Sequence, residues 1–190
     1  MFGTFDGKAS ADVSIMVPRD VALKFGVVNS SGLITGLTGG ASISTVNGDV
    51  IADGLTGSLQ LNSVTGEIGV RNHTGRISAH TVSGDITASG EVSSYTSDGV
   101  SGNVFLDLEG VPDSIKINTV SGNVTARLDA DAGASYAINK LTGRLQLDST
   151  ELRSIRGGYQ GKYGTLEGSW TDVRINTVSG DVSVLHAVRA

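Results

Sequence analysis

Glycine recurs in this chain with a period of nine. It stands at positions 39, 48, 57, 66, 75 and 84, misses the slot held by Ser93, and resumes at Gly102. A fixed internal period constrains a fold more firmly than local propensity does, because each unit must bury its apolar side against the next. Two units are nearly the same octapeptide: Ile117-Asn118-Thr119-Val120-Ser121-Gly122-Asn123-Val124 and Ile175-Asn176-Thr177-Val178-Ser179-Gly180-Asp181-Val182. Looser copies are Ile43-Ser44-Thr45-Val46-Asn47-Gly48-Asp49-Val50 and Ala79-His80-Thr81-Val82-Ser83-Gly84-Asp85-Ile86.

With the glycine set as position 6, position 1 runs Ile34, Ile43, Ala52, Leu61, Val70, Ala79, Ala88. Position 4 runs Leu37, Val46, Leu55, Val64, His73, Val82, and position 8 runs Ala41, Val50, Leu59, Ile68, Ile77, Ile86, Tyr95. These three positions are mostly apolar, and positions 2, 5 and 7 are mostly polar or small. Positions 8, 1 and 3 are two apart once the unit wraps, so they point the same way from one strand. Position 4 breaks that alternation, which predicts a bend there, and the glycine that follows permits the left-handed or bulged backbone of a corner. One unit therefore supplies one strand and one corner.

The expected fold is all-β, a single β-solenoid (β-helix) of about 18 residues per coil made of two nine-residue units, right-handed by the preference of parallel crossovers. Eight or nine coils stacked about 4.8 Å apart predict a rod about 40 Å long. No apolar stripe at 3.6-residue spacing persists, so helix is disfavoured. A β-sandwich would also show short strands, but it gives no reason for glycines locked at nine.

Residues 1–33 read as capping strands, one over Ala11–Val17 and one over Val21–Val28. Residues 34–148 read as regular coils, 149–172 as an irregular aromatic insertion, and 173–190 as the last coil and C-terminus. The chain is expected to be one domain.

Composition narrows the function classes. There is no Cys, so neither a disulfide framework nor a thiolate metal site is available. The net charge of -5 argues against a nucleic-acid backbone, which needs a basic face. No apolar run approaches the ~20 residues of a membrane span. The start lacks the basic and apolar regions of a secretory signal, so the default expectation is cytoplasmic.

The motif carried by Thr81-Val82-Ser83-Gly84-Asp85-Ile86, Thr119-Val120-Ser121-Gly122-Asn123-Val124 and Thr177-Val178-Ser179-Gly180-Asp181-Val182 resembles the bacterial adhesin-type β-repeat family, domains of unknown function with a Thr-Val-Ser-Gly-Asp signature. The resemblance covers roughly residues 20–186. It implies a bacterial β-solenoid, often linked to the cell envelope, and carries over no catalytic residue.

Candidate sites are few. Asp49, Glu67 and Asp85 fall at equivalent places on successive coils, and stacked carboxylates could attract a hard cation such as Ca²⁺. The competing expectation is that each bonds the backbone of its own turn. His73, His80 and His186 show no metal-ligand spacing and read as bystanders. Serines recur at turn or interior positions, and no nucleophile triad or dinucleotide cradle is indicated.

Arg153, Arg156, Tyr159, Tyr163 and Trp170 form the expected functional surface, since Arg and aromatics are enriched where proteins meet partners. The alternative is that these aromatics cap the solenoid end. The expected function is a non-enzymatic binding or structural module without a cofactor, presenting a rigid β-ladder to a protein or glycan partner. A self-assembling scaffold and a carbohydrate-active enzyme are the alternatives.

Overall fold

The computed structural model describes residues 13–148, 150–152 and 157–187. The described residues contain no helix, and the strands form two nine-stranded sheets. Each repeat contributes one strand to each sheet, and such a pair is here termed a rung. In chain order the first rungs are β1 (Leu23–Asn29) and β2 (Gly32–Thr35), β3 (Ala41–Asn47) and β4 (Val50–Asp53), then β5 (Thr56–Thr65) and β6 (Ile68–Arg71). Next come β7 (Thr74–Ser83) and β8 (Ile86–Gly90), β9 (Val92–Ser101) and β10 (Val104–Leu108), then β11 (Ser114–Ser121) and β12 (Val124–Asp129). The chain ends with β13 (Gly133–Thr142), β14 (Leu145–Leu147), β15 (Thr150–Leu152), β16 (Gly157–Tyr163), β17 (Trp170–Ser179) and β18 (Val182–Ala187).

Rungs stack through parallel pairing. Ala41 of β3 lies beside Leu59 of β5, and Leu59 beside Ile77 of β7. The period shows directly in that register, and the result is an all-β, solenoid-like repeat rather than a closed barrel. Regular stacking already begins at β1, where Leu23 pairs with Ala41. Val13 to Pro18 carry no strand, so the first capping strand expected from alternation does not form among the described residues.

The core lies between the two sheets. Positions 8, 1 and 3 face inward as expected: Ala41, Ile43 and Thr45 are all buried. Fully burying one such isoleucine is worth about 1.5–3 kcal/mol, and Ile43, Ile77, Ile117 and Ile175 each contribute one.

Position 4 corrects the sequence reading. Leu37, Leu55 and His73 point inward, but Val46, Val64 and Val82 point out. The two half-units are therefore not equivalent. In one half the chain turns early, with Gly36, Gly54 and Asn72 at φ 69°, 65° and 50°, and this turn drives the next side chain inside. In the Thr-Val-Ser-Gly half the strand continues past position 4, so ordinary alternation leaves the valine outside.

The turn glycine of that half is fixed by its neighbour as well as by its own backbone. Gly122 has φ 140°, and a Cβ on it would come closer than 3.0 Å to the carbonyl of Gly102 on the rung below.

The stacking order departs from the chain order at one end. The first sheet runs β1-β3-β5-β7-β9-β11-β17-β13-β16, and the second runs β15-β14-β18-β12-β10-β8-β6-β4-β2. The C-terminal rung re-enters the stack as expected, but at an interior place. β15 and β16 pair antiparallel with β14 and β13 and edge the far end.

Candidate functional site

The outer face of the first sheet carries two continuous rows of side chains running along the stack. One row is position 2: Ser44, Asn62, His80, Asp98, Asn118, Asn176 and Asn139, which are register partners on neighbouring strands. The other is position 4 of the same half-units: Val46, Val64, Val82, Val100, Val120, Val178 and Leu141. Every member of the second row is exposed, Val82 at 49%. Between them the strand backbone at position 3 forms the floor of a shallow groove.

The polar row is tied together by its own hydrogen bonds. The Asn139 amide donates to Asn176 Oδ1 at 2.8 Å, Asn176 to Asn118 Oδ1 at 2.7 Å, and Asn118 to Asp98 Oδ1 at 2.7 Å. Asp98 Oδ2 lies 3.2 Å from His80 Nδ1 on the other side. Parallel strands place identical partners at one spacing, so an asparagine ladder satisfies itself and stays rigid.

Two depressions mark the groove. One lies among Asn62, His80, Val64 and Val82. The other lies among Asn118, Asn176, Val120 and Val178, and Gly157 and Gly158 line its margin. No Phe, Tyr or Trp lines either depression, and His80 places an imidazole in the first.

Ser78, His80 and Asp98 stand in the order of nucleophile, base and orienting acid. Ser78 Oγ is 3.4 Å from His80 Nε2, and His80 Nδ1 meets Asp98. Acyl transfer also needs donors aimed at a developing oxyanion. β7 lies between β5 and β9, so its backbone N–H groups are engaged in the two ladders. His80 and Asp98 are 44% and 47% exposed on an open sheet, an arrangement suited to hydrogen bonding with a partner.

The acidic line has another role. Asp49 Oδ1 accepts the backbone N–H of Glu67 at 2.9 Å, and Asp85 Oδ1 accepts that of Asn103 at 2.7 Å. Asn103, Asn123 and Asp181 continue the pattern. Each bonds the next rung rather than its own turn, which corrects the turn reading. Among the described residues, no group of three or more His, Asp or Glu stands together as a metal site.

The expected aromatic surface is divided. Arg153 and Arg156 lie outside the described residues. Tyr159 and Tyr163, on β16, are partly buried and pack against the core. Tyr163 stacks on His186, with ring centroids 3.6 Å apart. His186 also lies 3.0 Å from the Tyr136 hydroxyl and 3.1 Å from Asp148 Oδ2. It is an organising residue of the end cap, and burial pushes the Tyr136 hydroxyl up. Trp170 points the other way, onto the outer face of the first sheet, beside Thr171, which is buried.

Sequence reasoning therefore missed the valine row and the asparagine ladder. Their signal was present as the repeated Asn-Thr-Val, in which position 4 reads as apolar whichever way it points.

The family model described as Toastrack DUF4097 matches residues 9–185. The chain belongs to this family. A Toastrack DUF4097 domain is a repeat-type domain of unknown function, so the match supports the repeat fold and brings no adhesin activity with it. No curated protein and no solved structure matches the chain.

Proposed function

We propose that this Toastrack domain is a non-enzymatic binding module that holds an extended polypeptide along the groove between its asparagine and valine rows. The observation that carries the reading is the register-locked pair of rows across seven rungs, one polar and self-bonded from Asn139 to His80, the other apolar and exposed. Apolar side chains of the partner would cover the valines, and its backbone amides would meet the asparagine row. A groove without Phe, Tyr or Trp lacks the broad flat faces that stacking on sugars would use, which favours a polypeptide over a glycan. Trp170 lies on the same outer face but six strand residues from Asn176, about 20 Å away from the groove, so it stands outside the proposed contact, and Tyr159 and Tyr163 serve the cap.

The geometry we infer for the rod is a right-handed β-solenoid with about 18 residues per coil. An adhesin-like role near the bacterial envelope fits a rigid rod that offers one long face. Among the described residues no helix is long and apolar enough to cross a membrane.

The reading is tested by panning a library of random linear peptides against the domain and against a Val82→Asp, Val120→Asp, Val178→Asp variant. Expected is enrichment of alternating apolar sequences that the variant no longer retains, with circular dichroism unchanged. Equal retention by both proteins, or capture of glycans alone on an array, would overturn it.

A further inference from the structure

The last rung of the chain is an interior rung of the stack. β17 lies between β11 and β13, and β18 lies between β12 and β14. The chain has thus laid down β13 and β14, turned back through β15 and β16, and then filled a gap it left behind.

Four rows crossing that gap have the same chemistry on both sides, whereas the Thr177 row has Thr119 on one side and Lys140 on the other. Asn176 accepts from Asn139 and donates to Asn118. Thr142 Oγ1 donates to the Val178 carbonyl at 3.2 Å, and Val120 would offer the same carbonyl one rung below. The Arg144 N–H donates to Asp181 Oδ1 at 2.8 Å, and the Asp181 N–H to Asn123 Oδ1 at 2.9 Å. Gly143 packs on Gly180, and Gly180 on Gly122. With the rung withdrawn, Asn139 would meet Asn118 and Gly143 would meet Gly122, each in its accustomed place. The gap can close on itself, or it can take a rung of this one sequence from any source.

Two sets of contacts favour the inserted rung over closure. Arg144 grips Asp181, and His186 is held by Asp148, Tyr136 and Tyr163. Neither involves the covalent connection between rungs, so both form equally well when the rung comes from another chain. The segment between β16 and β17 contains Gly164 and Gly168 at φ 65° and 89°. Its six residues, extended, reach about 20 Å, enough for a hinge.

We propose that the β17–β18 rung is exchangeable, and that the partner fitting the gap is a second copy of this chain, giving a dimer in which each rod is completed by the other's C-terminal rung. The absence of cysteine makes this directly testable. Asn118 and Asn176 are register partners on one face, at about the 4.8 Å strand spacing, within the roughly 4.4–6.8 Å a disulfide spans.

Chains carrying only Asn118→Cys and chains carrying only Asn176→Cys are mixed, unfolded, refolded together at rising concentration and oxidised. Circular dichroism first confirms that each variant folds alone. Exchange predicts a covalent heterodimer that grows with concentration and exceeds by at least tenfold the product of a control pair, Asn118→Cys with Thr56→Cys. It also predicts that the double variant, oxidised in one chain before mixing, remains monomeric. A heterodimer yield no higher than the control pair's, with monomers at every concentration, would overturn the proposal.

Discussion

Arg144 closes over Asp181 with three donors: its backbone N–H to Oδ1 at 2.8 Å, and its Nε and Nη2 to Oδ2 at 3.1 and 2.8 Å. These N–H donors, backbone first and guanidinium second, hold the Asp181 carboxyl below the usual carboxylate range. The arginine stands where other rungs have Asp, Glu or Asn, so the ladder of acceptors ends in a cation.

Both side chains of that pair reach solvent, so the ionic part is worth only about 0–1 kcal/mol. Asp181→Asn keeps an oxygen for the Arg144 N–H and is expected to change stability by less than about 1 kcal/mol. Asp181→Ala removes the acceptor and should cost more, about 1–2 kcal/mol. Urea denaturation at neutral pH checks the ranking. The sign of the pH effect also follows: a depressed folded value gives stabilisation present above the unfolded value and lost as pH falls through the folded one. The wild type should therefore lose more stability in acid than Asp181→Asn.

Two glycines on neighbouring rungs should respond oppositely to alanine. Gly122→Ala would place a Cβ against the Gly102 carbonyl at φ 140°, a backbone to which the ladder is tied on both sides. Loss of folded protein, or a fall of several kcal/mol, is expected from combined overlap and strain. Gly99 sits in the threonine row, its backbone is ordinary, and a Cβ there would meet Thr81 Cγ2 at 3.6 Å, an ordinary contact. Gly99→Ala should stabilise by about 0.4–1 kcal/mol through the unfolded chain. Thermal melts of the two variants side by side decide it.

His73 occupies an inward position held by Leu37 and Leu55 on the preceding rungs, and neither ring nitrogen has a hydrogen-bond partner of good geometry. Burial lowers its pKa, with weaker opposing contributions from backbone groups. The unfolded chain then binds the proton more readily, so stability should fall as pH drops below the ordinary histidine value of about 6.5. His73→Leu fills the same place without polar atoms. It is expected to raise stability by about 1–3 kcal/mol and to flatten the decline between pH 7 and 5 in denaturation experiments.

The nine-residue spacing made the stacked strands, the inward positions 8, 1 and 3 and the turn glycines legible from residues alone. Orientation at position 4 was not legible. Val82 and Leu55 carry the same apolar signal, and only the φ of the preceding turn decides which faces out. The place of β17 was hidden for a related reason. Ile175–Val182 matches Ile117–Val124 so closely that the sequence says the two can neighbour each other, while nothing local says that a later strand will separate β11 from β13. His186 read as a bystander because its partners Asp148, Tyr136 and Tyr163 are distant in sequence. Periodicity reports what repeats, and the end cap does not repeat.

That cap can be tested through Asp148, which has φ 50°, a conformation L-residues adopt rarely and Asp or Asn tolerate best. Its Oδ1 accepts the His186 backbone N–H at 2.6 Å, and its Oδ2 lies 3.1 Å from His186 Nδ1. The His186 side chain is only 2% exposed, so water cannot readily replace these contacts. Asp148→Ala would leave the backbone donor unsatisfied and impose the left-handed backbone on a residue with no side-chain bond to support it. The expected cost is about 2–4 kcal/mol, combining an orphaned donor with backbone strain. Asp148→Asn keeps an acceptor and tolerates the turn, so it should cost clearly less. Hydrogen exchange locates the effect: amides of β18 should lose protection in Asp148→Ala while those of β4 and β6 keep theirs. Uniform loss across all rungs would show that the cap is not a separable unit, and equal stability of the two variants would show that Asp148 does not hold His186.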